Sequence, residues 1–299
     1  MTNHFTLSGT GVAIVTPFHN YGTIDFGSLE KLLEHVINGG VDFIVSLGTT
    51  SEAATLTGDE KDAVMAFVKD TVNGRVPLVM GMGGNSTQSV VSKIKNTDFT
   101  GVEAILSVAP YYNKPNQKGL YNHFKSIAGA SPVPVILYNV PGRTSCNLTA
   151  ETTLRLAHDF ENIAAVKEAS GNLNQVMEIL RLRPDGFKVF SGDDALTYPL
   201  VSLGADGVIS VVANAYPHDF SELVRLMNKK QFDDALKLHY KLLPFISQIF
   251  ADGNPAGIKA ALEIMGIMKN NLRLPMVKAN KAVFMALGKF IEAYQQLKT

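Results

Sequence analysis

Eight times between Gly11 and Asn214 a short apolar run rich in Val and Ile gives way to a segment of helical period, and this alternation narrows the possible folds most. Continuous apolar runs suit strands buried on both faces, as in a parallel sheet with helices packed outside it. The predicted strands are Gly11 to Pro17, Val41 to Gly48, Pro77 to Gly83, Ala104 to Pro110, Pro134 to Val140, Ile163 to Ser170, Phe187 to Asp193 and Asp206 to Asn214. Between them, Leu29, Leu32, Leu33, Val36 and Ile37 form one apolar helical stripe, and Leu173, Val176, Met177 and Leu180 another. Asp25 and Thr149 are placed to cap helices. An open doubly wound sheet usually has fewer strands and a glycine-rich turn after the first; the turn here reads TPFHNYG. The expected fold is therefore a (β/α)8 TIM barrel over residues 1–229. Strand signals stop near Lys230, so residues 230–299 are expected to form a C-terminal helical appendage, broken at Gly253-Asn254-Pro255 and Arg273-Leu274-Pro275.

Composition excludes several functions. Lys+Arg and Asp+Glu both number 27, so nothing attracts nucleic acid or an anionic membrane surface. The N-terminal stretch lacks a basic start and an apolar run, which predicts a cytoplasmic protein with no signal peptide or spanning helix. The single cysteine, Cys146, excludes an internal disulfide framework and reads as a small filler. The seven histidines, from His4 to His239, form no HxH or HExxH pair, so no metal site is expected and a zinc-dependent aldolase is disfavoured.

Active sites of such barrels lie at the C-terminal ends of the strands. The polar groups expected there are Thr16, Thr49 with Thr50, Asn85, Tyr111 with Tyr112, Tyr138, Lys167, and Gly192 with Asp193; the eighth strand brings an apolar wall at Val208-Ile209-Ser210. Lys167 interrupts the run Ile163-Ala164-Ala165-Val166 and so places an amine in a strand that should be buried. Only a neutral amine attacks a carbonyl, and an ordinary lysine is neutral in about one molecule in 10³ near pH 7. A desolvated interior favours the neutral form, the usual route to a Schiff-base lysine. The same position also suits a lysine paired with a buried carboxylate or snorkelling out at the rim.

The other candidates each have two readings. Tyr138 is a proton shuttle or an aromatic strand end. Arg143, after a Pro-Gly turn, is a carboxylate fork or a solvated surface residue. Thr49 and Thr50, after Leu47-Gly48 and before a helix, form a carboxylate cradle or a helix cap. Glu168 alternates to the opposite face, toward the helices. The glycines Gly81 to Gly84 match a tight corner better than a phosphate loop, and Met65, Met80 and Met82 read as core.

Taken in order, GTTSEAATL, PYYNKP, YNVPGRT, VKEASGN and SGDD resemble the dihydrodipicolinate synthase branch of the pyruvate-dependent class I aldolases, the family that includes N-acetylneuraminate lyase. The resemblance starts at Gly9 and continues weakly into NPAGIKAAL and LRLPM. It implies that Lys167 carries the Schiff base to pyruvate and that Tyr138, Thr50 and Tyr112 form a proton relay, Tyr112 entering a neighbouring subunit's site. It also implies that Thr49 binds the pyruvate carboxylate, Arg143 the carboxylate of the second substrate, and that Gly192 and Ile209 surround the imine. The implied protein is a homotetramer, a dimer of dimers, without metal or organic cofactor. The implied reaction joins pyruvate to L-aspartate-4-semialdehyde, giving 4-hydroxy-tetrahydrodipicolinate for diaminopimelate and lysine synthesis.

Two positions depart from the family pattern. Ser51 stands where glycine is common, and Gly58, Lys61 and Ser89 stand where lysine-inhibited members place histidine and a carboxylate, although Asn85 and Tyr111 match. Weak or absent inhibition by lysine is expected, since the carboxylate partner for its ammonium group is missing. Two alternatives remain: an aldolase cleaving N-acetylneuraminate or a 2-keto-3-deoxy sugar acid, disfavoured by Arg143, and a keto-acid sensor without turnover, which would be expected to lose Lys167 or Tyr138.

Overall fold

The computed structural model describes residues 5–296; His4 and the outermost residues of both predicted regions lie outside the described residues. Eight strands form a closed barrel in chain order: β1 (Gly9–Ala13), β2 (Phe43–Ser46), β3 (Leu78–Gly81), β4 (Ala104–Val108), β5 (Val135–Asn139), β6 (Ile163–Glu168), β7 (Lys188–Ser191) and β8 (Gly207–Ser210). This is the expected TIM barrel, and every predicted strand is present. No helix among the described residues is long and apolar enough to cross a membrane.

The chain divides into two compact units. The first comprises the chain up to Gly9 and Pro77–Ile209. Its parallel registers pair Val108 with Tyr138, Tyr138 with Lys167 and Lys167 with Phe190, so neighbouring strands present these side chains at one level. Gly207 has to be glycine: a Cβ there would lie 1.9 Å from the Gly9 carbonyl oxygen, where the start of β1 passes. The helix Leu173–Leu182 corrects one prediction. Its buried residues are Val176 and Ile179, whereas Met177 is 41% exposed, so the face that packs inward is rotated from the predicted stripe. Met80 and Met82 are core, and a Cβ on Gly83 would meet the Val108 amide at 2.8 Å, a close backbone approach in place of a ligand loop.

His123, on the helix Gln117–Ala130, is buried with Nδ1 2.8 Å from the Thr87 hydroxyl, while its Nε2 finds no partner among the described residues. Burial pushes the imidazole down from 6.5 to about 4. The unfolded chain therefore binds this proton first, and stability held above pH 6.5 should fall as pH drops towards 4, by up to about 3 kcal/mol. In urea titrations near pH 7 and about pH 4.5, His123→Gln should lose less stability on acidification than the parent. Equal losses would contradict this.

The second unit comprises Thr10–Val76 and the chain from Ser210 onward. Here β1 pairs with β2, Gly11 opposite Phe43. The helix Phe26–Asn38 starts at the predicted cap, Asp25, which accepts from the Ser28 amide at 3.0 Å, and buries Leu29, Leu32, Leu33 and Val36. Thr149, in the first unit, likewise caps Ala150–Asp159. Every described element after β8 is helical, the longest being Phe232–Phe250, and the turn at Lys229 and Lys230 separates it from Pro217–Asn228. The rings of Tyr216, Phe245, Phe290 and Tyr294 pack together mostly at tilted and edge-to-face angles, and the Tyr294 hydroxyl donates to the Asp219 carboxylate at 2.7 Å. Burial, followed by the neighbouring carboxylate, raises both phenols and keeps them neutral.

Candidate active site

Strand β6 is buried along its whole length, and Lys167 is 6% exposed within it. Its Nζ lies 4.4 Å from the centroid of the Tyr138 ring, itself buried on β5. Among the described residues no carboxylate lies within ion-pair distance of this amine. Both ordinary readings of Lys167 therefore fail: it neither forms a buried ion pair nor snorkels into solvent.

Gly192 follows β7 and donates its amide to the Glu168 carbonyl at 2.8 Å. A Cβ there would sit 2.7 Å from the Ala169 Cβ and 3.0 Å from the Lys167 Cε, so glycine leaves room beside the lysine stem. Lys167, Tyr138 and Gly192 are thus brought together. Ile209, 1% exposed on β8, supplies the apolar surface expected of it. Glu168 points the other way, toward the helices: it accepts from Gln175 at 2.8 Å, from the Ser170 amide at 2.7 Å and from Asn139.

Two candidates stand at the surface of this unit. Arg143 is exposed, in a single helical turn, Pro141–Thr144, just after β5, and the Pro-Gly pair opens that helical turn. Tyr112 is 90% exposed and adopts φ +77°, a conformation costly for a bulky side chain without a constraint to hold it. Cys146 donates its thiol to the Pro110 carbonyl at 3.1 Å, which accords with a structural role.

In the second unit, the segment after β2 corrects another expectation. Thr49 and Thr50 do not cap a helix; they sit in tight turns in which the Ser51 and Glu52 amides donate to the Gly48 and Thr49 carbonyls. The following long helix is capped by Thr57, through a reciprocal box with Glu60. Thr50 is buried, while Thr49 is exposed. The Thr50 oxygen accepts from the Asn254 side-chain amide at 2.9 Å. Thr16 donates to the Ser51 carbonyl at 2.8 Å, and Ser51 to the Ile14 carbonyl at 2.6 Å.

Ser51 therefore ties this turn back to the end of β1, an interaction glycine cannot make. Ser51→Gly is expected to lower stability by about 1 kcal/mol and to leave turnover within about threefold. Urea unfolding with steady-state rates checks this, and an unchanged stability would contradict it.

Sequence reading missed the partners of this turn. Glu52 has φ +54° and pairs with Lys259, both side chains almost fully buried; Lys259 also donates to the Asn271 carbonyl at 2.9 Å, and the Arg273 amide to Glu52 at 3.1 Å. Arg273 binds Glu60, holding that carboxyl down at about 2. The available signal was Lys259 itself, which interrupts the buried run Ala256–Leu262 as Lys167 interrupts its strand.

The chain matches the family model described as the Dihydrodipicolinate synthetase family over residues 6–294. It is 50% identical to the 4-hydroxy-tetrahydrodipicolinate synthase of Phocaeicola vulgatus, covering 93% of this chain and 94% of that protein, and 51% identical to that of Parabacteroides distasonis, covering 91% of each. Among solved structures it is similar to dihydrodipicolinate synthase from Thermotoga maritima (37% identity, TM-score 0.94, 97% of this chain and 99% of that one). It is also similar to the chloride-inhibited enzyme from Acinetobacter baumannii complexed with pyruvate (39% identity, TM-score 0.93, 96% and 98%). A buried, unpaired lysine against a tyrosine ring, carried on neighbouring strands of this barrel, is accompanied by similarity over nearly the whole described chain: the protein belongs to the dihydrodipicolinate synthetase family.

Proposed function

We propose that the chain condenses pyruvate with L-aspartate-4-semialdehyde to 4-hydroxy-tetrahydrodipicolinate, the activity named in its relatives, with Lys167 as the covalent catalyst. The observation that carries this reading is the Lys167 amine, buried beside Tyr138 with no carboxylate to hold it as a salt bridge. The amine attacks C2 of pyruvate and water leaves, forming the imine; a methyl proton is lost to give the enamine, whose carbon attacks the aldehyde. The amino group of the second substrate then displaces Lys167 by transimination and closes the ring.

Tyr138, Thr50 and Tyr112 carry the protons. Thr49 receives the pyruvate carboxylate, Arg143 that of the semialdehyde, and Gly192 and Ile209 bound the imine. The exposed, left-handed Tyr112 supports a role completed by a second subunit; in this reading the protein is a cytoplasmic homotetramer arranged as a dimer of dimers, with residues 1–229 as the catalytic barrel and 230–299 as its helical region. Purified protein supplied with both substrates should form the ring product and show no retro-aldol cleavage of N-acetylneuraminate or 2-keto-3-deoxy sugar acids. Cleavage of sugar acids without condensation would overturn the choice of second substrate.

Gly58, Lys61 and Ser89 bear on regulation. Gly58 opens the helix Gly58–Val72 with no side chain, and the Ser89 hydroxyl is engaged with Ser86 at 2.9 Å, so neither supplies a carboxylate for a bound lysine. Micromolar lysine is expected to leave the steady-state rate unchanged; potent inhibition would contradict this.

A further inference from the structure

We propose that Asn254 is a positioning residue that fixes the direction of the Thr50 hydroxyl in the proton relay, an inference that rests on the placement of Thr50 in that relay. Asn254 lies just before the helix Ala256–Ile264, about 200 residues from Thr50 along the chain, yet its side-chain amide donates to the Thr50 oxygen at 2.9 Å, and both residues are buried. A threonine hydroxyl has one hydrogen and two lone pairs. With an amide hydrogen directed at its oxygen, the hydroxyl hydrogen has to point away from Asn254. Thr50 then acts as a donor toward the relay, and a tyrosine oxygen that accepts from it keeps its own hydrogen for the substrate.

The surrounding contacts make this direction a fixed property of the turn. Ser51 is held through both its carbonyl and its hydroxyl, and Glu52 by Lys259 and the Arg273 amide. Two of these ties, Asn254 to Thr50 and Lys259 to Glu52, come from the same short stretch of chain. They hold a segment flanked by two non-glycine left-handed residues, Leu47 at φ +58° and Glu52 at φ +54°, a conformation that persists only when its surroundings constrain it. The helical region thus reaches a residue of the relay directly.

The orientation can be tested by reversing it. Asn254→Asp keeps the shape but, when ionised, can only accept; it draws the Thr50 hydrogen to itself. Asn254→Ala removes the donor and leaves the hydroxyl free to turn. Near pH 7 the Asp variant should lose at least about tenfold in kcat, more than the Ala variant, with the pyruvate KM within about threefold of the parent in both. Borohydride trapping of pyruvate on Lys167 should persist in both variants, while exchange of the pyruvate methyl hydrogens with D2O slows most in the Asp variant. Its rate relative to the parent should recover on acidification, because the introduced carboxyl, once protonated, donates as the amide does. A purely structural role predicts a different ranking, in which each variant loses kcat and methyl exchange only in step with its loss of stability in urea unfolding, the buried charge of Asp included. That ranking would overturn the proposal. Should Asn254→Asp fail to fold, Asn254→Ala with parental methyl exchange and kcat would also overturn it. A parent protein that turns over normally while Thr50→Val matches it would locate the failure in the relay; a parent without turnover would locate it in the proposed function.

Discussion

Lys167→Met is expected to lose at least about 10³-fold in turnover of pyruvate and L-aspartate-4-semialdehyde, on the order of 4 kcal/mol of transition-state stabilisation. The substitution keeps an unbranched stem of nearly the same shape, with sulfur in place of Cδ, and lacks the amine, so the methyl-proton and aldehyde steps lose their covalent route and a loss of packing cannot account for the effect. The same variant should be at least as stable as the parent. A polar group with no hydrogen-bonding partner costs free energy when buried, and Met exchanges it for a thioether of similar volume; the contact with the Tyr138 ring offsets about 1 kcal/mol of that gain. Steady-state rates and urea unfolding read the two effects separately. A variant that is inactive because it is unfolded would contradict the assignment, as would one that retains a tenth of the parental rate.

The opposite outcome is expected at the second buried lysine. Lys259→Met should destabilise the protein by about 3–5 kcal/mol, since it leaves the Glu52 carboxylate buried without its cation. Burial pulls the Lys259 ammonium down to about 8, against the pull of Glu52, which leaves it charged at neutral pH and matched to the carboxylate. The double variant Lys259→Met with Glu52→Gln should recover much of the loss, a coupling of about 1–3 kcal/mol. Additive losses in the cycle would show that the pair is not the source of the stability. Two buried lysines in one chain are thus expected to respond to the same substitution in opposite ways, and what separates them is whether a carboxylate lies within reach.

That distinction also marks how far the sequence could be read. The eight strands were legible because β-branched runs recur with helical segments between them, and the caps Asp25 and Thr149 because their side chains act on residues three positions away. Ends were less legible. The first strand was expected over Gly11 to Pro17, but its ladder runs from Gly9 to Ala13, and Val15 and Phe18 are buried by a loop, giving the same apolar signature as a strand. Met177 was misplaced because periodicity gives the width of an apolar stripe and leaves open which edge packs inward.

Lys167 could be singled out because an amine is anomalous in a buried strand, whereas Tyr138 read equally as an aromatic strand end and was marked only by the family resemblance; register sets the two opposite one another. The hold of Asn254 and Lys259 on the turn at Thr50 and Glu52 could not, because it joins positions some 200 residues apart and no local pattern encodes such a pairing. Arg143 was recognisable as a rim residue, while its placement on a helical turn depends on Pro141 occupying the first helical position, where a missing amide hydrogen carries no penalty.

A Schiff base on Lys167 can be trapped by incubating the folded parent protein with pyruvate, reducing with borohydride and mapping the added mass by peptide mass spectrometry. A reduced pyruvate adduct is expected on the peptide containing Lys167 and on no other lysine, Lys259 included. Absence of that adduct, or its appearance at another lysine with Lys167 unmodified, would contradict a Schiff base on Lys167.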